Sequence, residues 1–158
     1  MTTEGVKLFQ TDLEARFTQL GLESAHTEAG PDAIGDILRV LIPVTDEGDL
    51  ILTEIVFTPW AGDCDLLHLY STLIAEIGPG YETLKEQLID WNLACPLGAF
   101  GIFRERQFYH KYDVPLPPDA DPKALAEKAF KLINLVAAAA ASRFPEAVRI
   151  SETAPGQA

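Results

Sequence analysis

A chain of 158 residues, 47% hydrophobic and 23% charged, has the length of one domain and can bury roughly two-thirds of its unfolded surface without staples. Twenty-four acidic residues against twelve basic ones leave a net charge of −12 and a pI near 4.5. That balance repels phosphate backbones and anionic lipid, so neither nucleic acid nor a membrane surface is an expected partner. The surplus keeps a surface solvated, or suits it to basic protein partners. Met1-Thr2-Thr3-Glu4 has neither the basic start nor the apolar core of a signal peptide, and the longest apolar run, Leu135 to Ala141, falls short of a membrane span. The chain is expected to work in the cytoplasm.

Residues 4 to about 21 read as a first helix, because Phe9, Leu13, Phe17 and Leu20 recur every three or four positions and Gly21 is placed to end it. Residues 23 to 35 are polar, carry Gly and Pro, and read as a loop. Three strands follow: Asp36 to Val44, Leu50 to Thr58 and Leu66 to Leu73. The turn at 45–49 brings the Gly that a tight reversal needs, and PWAGDCD links the second strand to the third. Alternation along Leu50 to Thr58 is that of a sheet covered on one face and wet on the other.

Gly80 to Leu116 organises the chain. Tyr81, Leu84, Leu88 and Trp91 share one helical face, and Pro96 stops that helix. Two short strands, LGAFGIF and FYHKYDV, flank the tetrad Arg104-Glu105-Arg106-Gln107. After the connector PLPPDADP, Asp121 is a good N-cap and Pro122 suits the first helical position. The closing helix runs to about Arg143 with Leu125, Ala129, Leu132, Ile133, Val136 and Ala140 in one stripe, and Phe144-Pro145 ends it. The alanines from 137 to 141 allow close approach to a sheet. The expected fold is α+β, a largely antiparallel sheet with helices on one side in the order αβββαββα: one domain over 1–150, then a flexible tail over 151–158.

No catalytic signature emerges. The histidines His26, His68 and His110 are scattered, and the last two sit in strands beside aromatic residues, where a hydrogen-bonded structural role is expected. Cys64 and His68 invite a Cys/His reading, but residues four apart in an extended chain are roughly 13 Å from each other. Neither Cys64 nor Cys95 has a metal-ligand partner, and both are expected to be buried thiols. Asp63, Asp65 and Glu54 are too few for an oxygen cage. Gly98 and Gly101 match no phosphate loop and fit a bulge or a close crossing by a helix. Arg104, Arg106 and Lys111, interleaved with Phe103, Phe108, Tyr109 and Tyr112, are three charges against a net of −12. No metal and no cofactor is expected. Attention falls instead on apolar side chains that one small body cannot all hide: Tyr81, Leu84, Leu88, Ile89, Trp91 and Leu93 on the short helix, and Trp60 in its loop, as a dimer or partner interface.

Three segments carry a resemblance: Leu88-Ile89-Asp90-Trp91-Asn92, Gly98-Ala99-Phe100-Gly101-Ile102-Phe103 and Tyr109-His110-Lys111-Tyr112-Asp113-Val114-Pro115-Leu116. With the element order and the long closing helix, they make most of residues 6 to 148 similar to the type III secretion chaperone-like fold, and within it to the YbjN-like bacterial family. The resemblance implies a homodimer that holds an extended partner segment against its sheet and first helix without ATP. The loop at 23–35 and the Trp60 loop depart from the secretion chaperones. The expected function is therefore a non-enzymatic, dimeric protein-binding domain, chaperone-like or regulatory. The alternative is a small-molecule sensor or enzyme with a pocket near Trp60, Cys64 and His68.

Overall fold

The computed structural model describes residues 1–45, 48–60, 64–104 and 106–153. The chain runs α1 (Thr3–Gln19), β1 (Ser24–Thr27), β2 (Ile37–Pro43), β3 (Leu50–Pro59), β4 (Asp65–Ile74), α2 (Tyr81–Ala94), β5 (Ala99–Phe103), β6 (Gln107–Leu116), α3 (Pro122–Ala141) and α4 (Phe144–Glu152). The strands form one antiparallel sheet in the order β1-β2-β3-β4-β6-β5. This is the expected α+β fold with two elements added.

The first addition is β1, which lies inside the polar stretch read as a loop and pairs Ser24 to Thr27 with Val40 to Ile37. The second is α4. Phe144-Pro145 does stop α3, yet Pro stands in the first turn of a new helix that buries Ala147, Ile150 and Ser151. Pro is tolerated there because its missing N–H would find no helical partner. Ser151 and Glu152, assigned above to the tail, are thus helical, and Ser151 accepts from the Gly78 amide while its carbonyl accepts from Gly80. The tail residues 154–158, two residues of the 45–49 turn (Asp46, Glu47), Ala61, Gly62 and Asp63 of the β3–β4 loop, and Glu105 of the tetrad lie outside the described residues.

All the helices pack on one face of the sheet, in two groups. Under α1 and α3, Val6, Phe9, Leu13 and Phe17 meet Leu38, Ile55, Phe57 and Leu69, with Phe9 edge-on to Phe57 at 4.9 Å. Under α2 and α4, Leu84, Trp91, Ala147 and Ile150 meet Ile51, Leu73, Phe100 and Phe108. Leu20, expected on the buried face of α1, caps that helix instead and is 59% exposed. Asp121 caps α3 by accepting from the Ala124 amide at 2.9 Å. Between the two groups a row of polar side chains crosses the covered face: Thr53, Ser71 and His110, aligned by strand register and none more than 1% exposed.

Candidate functional site

Because side chains alternate along a strand, packing every helix on one face leaves the other face without a layer. Register fixes what stands there. Leu41, Leu52, Thr72, Tyr109 and Gly101 form one crosswise row; Arg39, Glu54, Tyr70, Lys111 and Ala99 form the next; Val56, His68 and Asp113 form the third. Tyr109 and Tyr70 contact edge to face at 6.1 Å, and Tyr109 lies over Gly101, where a Cβ would come within 2.6 Å of the phenol ring. Gly98 likewise makes room for His110 of β6. Both glycines therefore serve close approach by the neighbouring strand β6, at Gly98 by the Lys111 carbonyl as well as the His110 ring, rather than by a helix.

A depression of about 340 Å³ opens on this face between Tyr70, Tyr109, Phe103, Thr72, Gln107, Glu54 and Lys111. Its charges are paired at the rim: Arg39 donates to Glu54 at 2.7 Å and Lys111 to Asp113 at 2.9 Å. The Lys111 ammonium also sits 5.2 Å from the Tyr70 ring centre. Phe103, half exposed, forms the outer wall.

Beside the depression runs a chain of short hydrogen bonds. Thr58 Oγ1 is 2.7 Å from His68 Nε2, and His68 Nδ1 is 2.6 Å from Asp113 Oδ1. The carboxylate accepts at Nδ1, so that nitrogen carries a proton, and Nε2 faces the Thr58 hydroxyl. His68 is only 7% exposed, sheltered partly by Tyr70 stacked at 5.7 Å. Partial burial pushes the Asp113 carboxyl up, but hydrogen bonds from Lys111 and His68, with their charges, outweigh it and hold the group below its usual range. Lys111 is correspondingly raised: burial opposes this, and the hydrogen bond to Asp113 and the neighbouring Tyr70 overcome it. Sequence spacing alone could not reveal this cluster, since His68 and Asp113 are 45 positions apart and meet only through the β4–β6 register.

The residues singled out from the sequence divide. Leu84 and Trp91 are 0% and 3% exposed and belong to the core, so they offer nothing to a partner. Tyr81 and Leu88 are half-buried beside that core. Ile89 at 71% and Leu93 at 83% stand outward on α2, one turn apart, with Glu82, Glu86 and Asp90 around them. Trp60, 59% exposed, follows β3, its amide donating to the Cys64 carbonyl at 2.9 Å. The basic-aromatic cluster does not assemble: Phe108 is in the core, Tyr112 packs against it and Lys111 is paired.

The second strand histidine behaves differently. His110 donates from Nε2 to the Leu97 carbonyl at 2.6 Å, the oxygen to which Cys95 Sγ also points at 3.2 Å. The imidazole and the thiol thus converge on one acceptor, with Cys95 Sγ 3.6 Å from His110 Nε2. Nδ1 of His110 is buried without a partner, and burial lowers its affinity for a second proton, the Leu97 bond opposing only in part. Cys64 and Cys95 are half-buried free thiols rather than fully buried ones. Of the acidic trio, Asp65 pairs with the Met1 amino group and Glu54 with Arg39, while Asp63 lies outside the described residues. Among the described residues no His/Cys/Asp/Glu group has metal-holding geometry, and no helix is long and apolar enough to cross a membrane. No family model and no characterised protein matches the chain.

Proposed function

We propose that this chain is a protein-binding domain that works without turnover. It pairs as a homodimer through the outer side of α2 and takes an extended partner segment across the open face of its sheet. One observation carries the reading. The face opposite the helices carries Leu41 and Leu52 in one row with Tyr109, and Tyr70, Tyr109 and Phe103 line a depression of about 340 Å³ there. The resemblance to the YbjN-like, secretion chaperone-like group agrees with it.

Addition of a peptide as a further strand is restricted to one edge. At β5 the Asn92 side chain donates to the Phe100 carbonyl at 3.0 Å and accepts from its amide at 2.6 Å, occupying the outward backbone groups a new strand would use. At the other edge β1 is four residues long. Side-chain contact with the open face, more than strand addition, is therefore the mode that suits this sheet.

The test is a photocrosslinking residue placed at Phe103 on the open face and, separately, at Leu135 on α3, with sedimentation equilibrium of the unmodified chain. Crosslinks to one defined partner from Phe103 alone, with a dimer mass, support the reading. A monomer that gives the same products from both positions ends it. A second reading, a small-molecule site, draws on the Thr58–His68–Asp113 chain beside the depression, close to but not at the expected Cys64.

A further inference from the structure

We propose that the extended segment taken by the open face lies crosswise to the strands and carries an aromatic and an aliphatic residue four positions apart, with a cationic residue midway. The proposal rests on the protein-binding reading above and gives that partner its chemistry. Register places two apolar stations at the ends of one crosswise row. Tyr109 stands at one end, where with Tyr70 and Phe103 it lines the depression of about 340 Å³. Leu41, 40% exposed, and half-buried Leu52 stand at the other, with Thr72 between the two stations. The row crosses from β2 through β3 and β4 to β6, a span of roughly 14 Å at about 4.8 Å per strand.

That span selects the spacing. Successive residues of an extended chain advance about 3.3 Å and point to alternate sides, so residues four apart share a side and stand roughly 13 Å from each other. Residues two apart share a side but cover only about half the row, and residues three or five apart face opposite ways. The depression takes a ring against Tyr109 and Phe103, and Leu41 with Leu52 takes a branched aliphatic side chain. Charge sets the residue between them. It falls beside Glu54, one row over on β3, whose Oε1 accepts from Arg39 at 2.7 Å while Oε2 has no hydrogen bond among the described residues. Lys111, also on the rim, is engaged by Asp113 at 2.9 Å, so the spare Glu54 oxygen is the charge left for a partner. A chain of net charge −12 also draws a cationic segment toward itself before any contact forms.

The probe is the peptide acetyl-Gly-Phe-Ser-Lys-Ser-Leu-Gly-amide, together with its reversed sequence, titrated into the full chain and followed by NMR. For at least one order, the Tyr70 and Tyr109 ring resonances and the Leu41 and Leu52 methyl resonances should shift together with one affinity. An added serine between lysine and leucine should weaken binding at least about tenfold, since one apolar side chain then points to water. Glutamate in place of the lysine should weaken it about two- to fivefold at low salt, a difference that fades as salt rises. Leu41→Ala, with unchanged circular dichroism, should weaken the original peptide at least about threefold, while a peptide with alanine for its leucine binds both proteins alike. Equal binding with and without the added serine, indifference to the middle charge, or shifts confined to one station overturns the proposal and leaves the protein-binding reading standing. No shift from either order at millimolar concentration also overturns it, and crosslinking from Phe103 then decides the underlying reading independently.

Discussion

The two faces of the sheet each hold one buried histidine, and the contrast between them lies in what replaces water around each ring. His110 lies on the covered face in a row with Thr53 and Ser71; one nitrogen reaches Leu97 and the other has no partner. His68 lies on the open face, nearly as hidden, yet both nitrogens are engaged, by Thr58 and Asp113. Burial under the helices removes water and returns a partner to only one ring nitrogen. Burial among polar strand neighbours replaces each lost water with a directed partner. The first histidine is therefore harder to protonate, and the second is oriented and connected to solvent through an Asp113 side chain that is 37% exposed.

The widest separation between the faces should appear in stability. Phe57→Ala on the covered face removes a ring with no exposed surface, packed edge-on against Phe9. It should cost about 3–5 kcal/mol in urea denaturation. Tyr109→Ala on the open face should cost on the order of 1 kcal/mol, because its ring lies over Gly101 and borders solvent. Equal costs would mean that the open face is packed as tightly as the core, and the contrast would collapse.

Next in size is the edge beside the open face. Asn92→Ala leaves the Phe100 amide and carbonyl without their partners and should cost about 1–3 kcal/mol. It should also bring concentration-dependent association, since a bare edge invites another strand. Light scattering across a dilution series checks this. Loss of stability without association would mean that Asn92 anchors α2 to β5 but does not guard the edge.

The sequence disclosed most of this frame and little of the site, for physical reasons. Helices with strong stripes, such as α1 and α3, declare themselves because side-chain burial selects their residues. Strand β1 did not: SAHT is polar, and it is a strand because the β2 backbone offers it a ladder, a tertiary cause absent from its own composition. The Pro that closes α3 was read only as a stop, although Phe144, Ala147, Ile150 and Ser151 fall at helical spacing and carried the signal for α4. Outward Ile89 and Leu93 were legible from their place on the second face of α2. Trp91 was divided correctly between core and interface only by packing against Phe100 and Phe108. The Thr58–His68–Asp113 chain needed two strand registers, and no local pattern encodes those.

A smaller effect separates the histidines by pH. Burial lowers His110 below the ordinary imidazole value of 6.5. As pH falls the unfolded chain takes up that proton before the folded one, so stability is intact above about 6.5 and declines below it until the folded ring titrates. The decline is at most about 1.4 kcal/mol per pH unit for one proton. His110→Met should flatten the profile just below 6.5, whatever it does to absolute stability. Asp113, held below its usual 3.8, contributes in a lower window, losing its share only as pH drops beneath that value. A profile unchanged by His110→Met would show that the ring takes a proton while folded, and the orphaned nitrogen would need another partner.

The smallest expected change in stability bears most directly on assembly. Ile89 and Leu93 are 71% and 83% exposed, so Ile89→Glu with Leu93→Glu removes almost no buried surface and should shift the unfolding midpoint by no more than about 0.5 kcal/mol. If the outer side of α2 pairs two copies, those charges join Glu82, Glu86 and Asp90 on one stripe and repel across the pair. Sedimentation should then show wild type as a dimer and the variant as a monomer with the same fold. The open sheet face lies on the opposite side from α2, so crosslinking from Phe103 should survive in that monomer. Its loss along with the dimer would place part of the open-face site on the second copy, and the two faces would no longer be independent.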